Sequence, residues 1–575
     1  MTDVRWIDDN VPTGKFPFWT RANVGEVLPE PPSPLGWELA WKHGTLPGWA
    51  DCNVEHLGMG PDELDANRPE VVGVFGGYAY LGATIIRVWA ERTPGMSADI
   101  IDGAYFGDHP DVPVYAPEPW HVREETTAHM ERWLGWAMTA TEQPLLEEEK
   151  AIAEQVRASR PDLSSLTDGE LIERAKSFTP LIRRMFKQHI NQSGAASIGL
   201  SIIGAVAEAV GDPTLTLRLV GGLGDVDSAA PSYEMWTMSR LVRSDDRLRA
   251  AFDEGPIGLT ARLGSTEGAT EFLAALDGFL GRFGSRGPNE WDIHAHTWET
   301  DPDLVLAAVD RMRLAGDEVD PSAGAEGRDE DRRTLAASVA AMVEADPEAH
   351  GQFMAAMQSS SVFVPGRERS KTTIIKVIHE VRMAMYELGS RHAEAAGFDR
   401  VNDICLLFED ELTTLSADPG SLADIVAGRR GHLAYLRTLE PPFIINGAPA
   451  ALSEWQTKED ASKAEVATPG TVIAGIPGCP GVLKGVARVV LDPSDPTVLG
   501  PGEILIAPHT DPAWTPLFVS AGAVVVDVGA PLSHAIIVSR EFGLPCVVSA
   551  TDATKRIPDG AEIEVNGDTG QVTVL

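Results

Sequence analysis

The chain has 575 residues, 43% of them apolar and 23% charged, a composition that excludes a largely disordered protein. Its 47 Lys and Arg against 85 Asp and Glu give a net charge of −38, which opposes binding to nucleic acid or to an anionic membrane and leaves neither as an expected partner. Cys52, Cys405, Cys479 and Cys546 have no paired spacing, so neither a zinc site nor a disulfide framework is expected.

Met1-Thr-Asp-Val leads into Trp6 and acidic residues without the basic region and apolar stretch of a signal peptide, and no apolar run reaches membrane-spanning length; a cytoplasmic location is the expectation. The first 120 or so residues are rich in Pro, Gly and aromatics, with nine of the 14 tryptophans at or before Trp136, and an irregular, aromatic-rich structure is expected there. Trp19, Trp37, Phe75, Tyr78, Tyr80 and Trp89 offer flat apolar surface for the wall of a pocket. From Glu124 to Leu439 the pattern is helical: Leu171, Ala175, Phe178, Leu181, Ile182 and Met185 recur at three- and four-residue steps, and a bundle of long helices follows. The acidic stretch from Gly316 to Arg333 reads as an exposed connection.

Two clusters interrupt the helical region. In Phe283-Gly-Ser-Arg286-Gly-Pro-Asn289-Glu290-Trp-Asp292 the Gly and Pro break the helix and present Arg286, Glu290 and Asp292 on an irregular segment, followed by His294 and His296, either of which has the chemistry of a general base. Arg367 and Lys371 lie four apart on one helical face, a spacing that suits two cations holding the oxygens of a migrating phosphoryl group. Glu409, Asp410 and Glu411 have the chemistry of Mg²⁺ ligands, although capping is the commoner role of such residues. Residues 456–471 have the composition of a linker.

Near the C-terminus, Ala523-Val-Val-Val-Asp527 and Cys546-Val-Val-Ser549 read as buried strands. Between them Gly529 and Pro531 break the chain, Ser533 is placed to cap a helix and Gly543-Leu-Pro545 to stop it, so His534 falls in the first helical turn. Free N–H groups and the positive end of the helix dipole there favour an anion and a neutral imidazole.

The string Ser533-His534, Arg540-Glu541 and Gly543-Leu-Pro545 resembles the swivelling phosphohistidine domain of the phosphoenolpyruvate-utilising dikinase family, and the resemblance runs from about Gly475 to Gly570. Phe18 to Trp37, Arg286 to Asp292 and Arg367 to Lys371 resemble the acceptor part of rifampicin phosphotransferase. It departs at Ala530, Ser539 and Leu532; a leucine cannot take the regulatory phosphate that some relatives carry on a threonine at that place. The resemblance implies a multidomain chain: a mainly α-helical acceptor-binding domain (1–455), a hinge (456–471) and a small α/β swivelling phosphohistidine domain (472–575). It implies His534 as phosphoryl carrier, Arg367 and Lys371 as catalytic residues at the acceptor site, and Arg286, Glu290, Asp292, His294 and His296 as substrate- or phosphoryl-binding residues. No stretch reads as the ATP-grasp domain of the ATP-dependent members, so a separate ATP-grasp subunit using ATP and Mg²⁺ is the expected partner, as in phenylphosphate synthase-like two-component aryl kinases. The expected acceptor is a small hydroxylated, phenolic compound. The alternatives are an antibiotic phosphotransferase component and a non-catalytic phosphocarrier.

Overall fold

The structure is a computed structural model that describes residues 4–65, 70–107, 109–212, 214–223, 227–255, 258–317, 320–321, 325–461, 466–493, 499–529 and 533–575. Leu532 and Ala530, and residues 462–465 of the expected hinge, lie outside the described residues.

The run expected to be helical folds as helices. A reciprocal bond between Thr167 and Glu170 caps α1 (Asp168–Ser177), and Pro180 stands in the first turn of α2 (Thr179–Ala209). Leu171, Ala175, Ile182 and Met185 form one buried stripe across both. By length and composition alone Asp168–Ala209 is apolar enough to cross a membrane, but 67% of its apolar window is buried inside the protein. α3 (Ala230–Ser244) and α4 (Asp303–Leu314) share a second core through Met235, Trp236, Val309 and Met312. The acidic connection is described in part: Asp317 pairs with Arg240 and Arg243, and a helix begins at Ala325. α5 (Pro347–His392) runs 46 residues and packs on α2. At Gly199 a Cβ would stand 2.6 Å from Ser360 Oγ, so these two helices approach as closely as a glycine allows.

The aromatic-rich start is more regular than composition predicts. β1 (Phe18–Thr20), β2 (Val72–Phe75), β3 (Tyr78–Gly82) and β4 (Ile444–Asn446) form an antiparallel sheet in the order β2-β3-β1-β4, which ties the N-terminal segment to the far end of the helical region. Prolines open helices here instead of breaking them: Pro34 stands just behind the Ser33 cap, and Pro47 stands in the first turn of the α-helix that continues a π-helical stretch, Trp37–Thr45.

From Val472 onward the chain is α/β. Strands β5 (Val472–Ala474), β6 (Ile476–Cys479), β7 (Val482–Val489), β8 (Ile504–Ala507), β9 (Ala523–Val526), β10 (Cys546–Val548), β11 (Glu562–Asn566) and β12 (Gln571–Val574) form one sheet ordered β5-β12-β11-β7-β8-β9-β10-β6. Strands β7 to β10 run parallel, so their connections cross one face of the sheet; α6 (Thr515–Ser520) and α7 (His534–Phe542) are those crossovers and pack on it through Phe518, Ile536 and Val538. α7 ends where Gly543 adopts φ 71°, ψ 31°. Gly543→Ala is expected to destabilise this region by about 1 kcal/mol and Gly543→Asn by less, since asparagine tolerates the left-handed conformation better; urea unfolding followed by tryptophan fluorescence checks the order.

Candidate active site

The imidazole of His534 stands in the first turn of a nine-residue helix, as the sequence predicts. Ser533 occupies the N-cap position, yet its hydroxyl makes no cap bond and is sealed without a partner among the described residues. The other residues of the string hold the helix from behind: Arg540 Nε donates to the Gly478 carbonyl on β6 (3.1 Å), and Leu544 N–H donates to the Ser539 carbonyl (2.9 Å). The ring itself is fixed by two hydroxyls, Thr510 at Nδ1 and Thr515 at Nε2, both at 3.0 Å, with Phe518 edge-on at 5.8 Å. Burial, with Lys371, Arg286, Arg367 and His509 nearby, holds its pKa well below the usual imidazole range, so the ring is neutral and keeps a nucleophilic lone pair.

Three of those neighbours belong to the helical part of the chain, and His534 therefore faces it. Asn289, at φ 49°, turns its N–H toward Asp511 Oδ2 (2.9 Å), Arg311 Nη2 donates to the Pro493 carbonyl (2.9 Å) and Lys555 pairs with Glu440 (3.0 Å). Val519 of α6 enters the core of α3 and α4, and Phe542 meets Tyr233 edge-on.

The cations facing His534 are paired and buried. Arg286 grips Glu290 through Nε (2.7 Å) and Nη2 (3.2 Å) and donates from Nη1 to Thr372 Oγ1 (2.8 Å); Lys371 lies 3.7 Å from the same Glu290. Burial opposes the charge on Arg286, but Glu290 outweighs it and keeps the guanidinium pKa raised. Arg367 pairs with its neighbour Glu368, whose carboxyl is held low by Arg367 and Lys371 against the upward push of burial. Arg382 fixes the segment that carries Glu290, donating from Nη2 to the carbonyls of Glu290 (2.8 Å) and Asp292 (2.9 Å).

Arg367 also walls a cavity of about 330 Å³ between α2 and the N-terminal segment. Its walls are Trp41, Trp49, Trp89, Tyr105, Phe186 and Trp291, with a polar stripe of His189, Ser193, Ser197 and Ser201 one turn apart on α2. Each of the three serines donates back to the carbonyl four residues earlier, so their oxygens offer lone pairs to the cavity. Beside Arg367 and Lys371 stands Glu26, whose carboxyl burial pushes up to about 8 and whose Oε1 has no partner among the described residues.

The structure brings His534, Lys371, Arg367, Arg286 and Glu290 together. Asp292 is instead committed to folding: it accepts from Ser33 Oγ (2.5 Å), Ser33 N–H (2.8 Å) and His294 N–H (3.0 Å). His294 and His296 are not brought to the cluster. Their backbone carries the contacts, Tyr386 donating to the His294 carbonyl, and His296 Nδ1 is sealed in the protein. Of the six aromatics expected to wall a pocket only Trp89 does so. Trp19, Phe75, Tyr78 and Tyr80 fill a core with Leu436 and Trp455, and Trp37 stacks on Trp41. Glu411 caps Phe408 N–H and pairs with Arg429, and Glu409 pairs with Lys176, so these carboxylates serve the fold. His189 and Thr515 escaped the sequence reading, and Glu26 entered it only within the Phe18 to Trp37 resemblance; the one signal for His189 is the serine run that follows it at four-residue steps.

Two segments of the chain match known protein families. Residues 499–570 match the mobile domain of the PEP-utilising enzymes, and residues 188–368 match the fourth domain of rifampicin phosphotransferase. These two segments are thus similar to parts of the PEP-utilising phosphotransferases. It is 27% identical over 446 residues to a rifampicin phosphotransferase of a Streptomyces species, covering 74% of this chain and 50% of that protein. It is 31% identical over 366 residues to an uncharacterised protein of Mycobacterium tuberculosis (62% and 38%), and 31% identical over 306 residues to the prodigiosin synthesizing transferase PigC of Serratia marcescens (52% and 33%). The chain thus spans half or less of the length of these relatives.

Burial, with Glu290 nearby, raises the Asp511 carboxyl from 3.8 to about 6 where it meets Asn289. A carboxyl whose pKa is higher in this contact than when free binds its proton more tightly there, so the contact weakens as pH rises through that window. Asp511→Asn should flatten the dependence, which inter-domain energy transfer between dyes on the two parts measures.

Proposed function

We propose that this chain is the carrier and acceptor-binding component of a dikinase. A separate ATP-grasp subunit, using ATP and Mg²⁺ and releasing AMP and phosphate, charges His534. The C-terminal α/β part, swinging on residues 456–471, then delivers the phosphoryl group to the hydroxyl of a small phenolic compound in the cavity. One observation carries the reading: Arg367 belongs both to the cations that face the imidazole and to the wall of the cavity.

The chemistry follows from the arrangement. The transition state of phosphoryl transfer is loose, with charge spread over three oxygens, so catalysis rests on position and on fixed charge. Arg286, Lys371 and Arg367 supply that charge without reorganising, because Glu290, Glu368 and Thr372 already hold them. The N–P bond breaks, its electron pair returns to the His534 ring, and the acceptor oxygen takes the phosphorus. Burial keeps water from competing for it.

The flat indole walls favour an aromatic ring, and the lone-pair stripe on α2 favours a ligand whose polar edge donates hydrogen bonds. The cavity lies at the small end of the range for drug-sized ligands, which favours a simple phenol over a large antibiotic. The names of the rifampicin-directed relatives favour the second reading, an antibiotic phosphotransferase component.

With labelled ATP and the ATP-grasp subunit, wild-type protein should acquire acid-labile phosphate, and His534→Ala should acquire none. Arg367→Ala and Lys371→Ala should load normally but deliver about 10²-fold more slowly. Label persisting on His534→Ala would move the carrier elsewhere; normal delivery by both cation variants would remove Arg367 and Lys371 from the transfer chemistry. A turnover screen across simple phenols, ansamycin antibiotics, sugars and pyruvate decides the acceptor, and phosphorylation of sugars or pyruvate alone would refute the phenol.

A further inference from the structure

The histidine that the sequence left unremarked has the most defined hydrogen bonding in the cavity. His189 lies on α2 at 8% exposure, its ring packed against Phe186 (5.5 Å) and Trp291 (6.1 Å), so it cannot turn freely. Its Nδ1 is 2.9 Å from Ser370 Oγ, and Ser370 already donates its single proton to the Arg367 carbonyl (2.8 Å). The serine oxygen must therefore accept, and Nδ1 must carry the ring proton. The Arg367 carbonyl also faces the ring, a second acceptor that favours the same tautomer. Nε2 is left with a lone pair and no partner among the described residues. It is not sealed in the protein, and the residue lines the cavity beside Arg367.

We propose that His189 is the general base of the transfer, accepting at Nε2 the proton of the acceptor hydroxyl. The inference rests on the reading of the cavity as the acceptor site. As the oxygen attacks phosphorus, its O–H bond breaks toward His189 Nε2 and the N–P bond breaks toward His534. The proton later leaves His189 for solvent when the product departs. Burial, with Arg367 and Lys371 close by, keeps His189 neutral before the carrier arrives, and the negative phosphoryl group offsets those cations as the imidazolium forms. Ser370 is the positioning residue, since it fixes which nitrogen faces the substrate. Arg367, on the same turn of α5, ties the base to the charge that stabilises the phosphoryl group.

The test separates base catalysis from structure through the acidity of the acceptor. The full-length protein is charged on His534 with phosphoramidate, then mixed with phenol or with 4-nitrophenol at mildly alkaline pH, where the nitrophenol is already ionised and needs no base. Wild type should transfer to both. His189→Gln is expected to lose about 10²-fold with phenol but no more than about 3-fold with 4-nitrophenol, and Ser370→Ala to show the same selectivity in milder form. Equal losses on the two acceptors, or none on either, would overturn the base while leaving delivery from His534 intact. Failure of the wild-type charged protein to transfer to any phenol would instead overturn the acceptor reading, and the base with it.

Discussion

The site depends on keeping cations dry. Arg286, Lys371 and Arg367 all stand near a buried imidazole, where an unpaired charge is costly, and each is matched before any phosphoryl group arrives. Glu290 serves Arg286 and Lys371 together, and Glu368 serves Arg367. Of the other acidic groups close by, burial pushes Glu26 up to about 8, so it adds little counter-charge at neutral pH, while Asp511, raised to about 6, is largely ionised there. In the proposed transfer this cluster is the receptor for the phosphoryl group.

α5 makes that receptor rigid. Pro365 interrupts its hydrogen bonding two residues before Arg367, and from there the helix contributes Arg367, Ser370, Lys371 and Thr372 within about a turn and a half, then Arg382, which anchors the carbonyls of Glu290 and Asp292. Arg367 and Lys371 thus share one helix with Thr372 and Arg382, which hold Arg286 and the segment bearing Glu290 against it. The contacts of the α/β part are of another kind and include polar bonds at Asn289, Arg311 and Lys555 and apolar contacts at Val519 and Phe542. The proposed function requires that this surface part and meet again.

What was legible in the sequence follows the same division. The His534 helix and its flanking strands could be read because glycine, proline and β-branched runs mark their limits locally, and Arg367 and Lys371 could be paired because a helix fixes the four-residue spacing. The cavity could not be read, because its walls come from segments far apart in the chain and aromatic composition does not distinguish a core ring from a lining one. Trp19 and Trp89 look alike in sequence; one is sealed between β-strands and Trp455, the other borders empty space. His294 and His296 stood next to a promising string, but a turn at Asn289 sets the backbone so that Asp292 and Tyr386 take that segment into the fold. His189, alone in an apolar helix, had the appearance of a core residue.

The net charge of −38 bears on why the phosphoryl group would travel on a histidine at all. An acidic protein repels free phosphate at long range, and at physiological salt that field is screened beyond about 8 Å. The positive cluster is small and enclosed, so its pull is felt only at contact and cannot gather anions from solution. A covalently held phosphoryl group does not need to be gathered. In the proposed function it is carried past the repulsive surface on His534 and meets Arg286, Lys371 and Arg367 only when that histidine is seated. The negative surface and the positive centre would then act together: the first would keep stray phosphate out, and the second would stabilise the one phosphate that arrives attached.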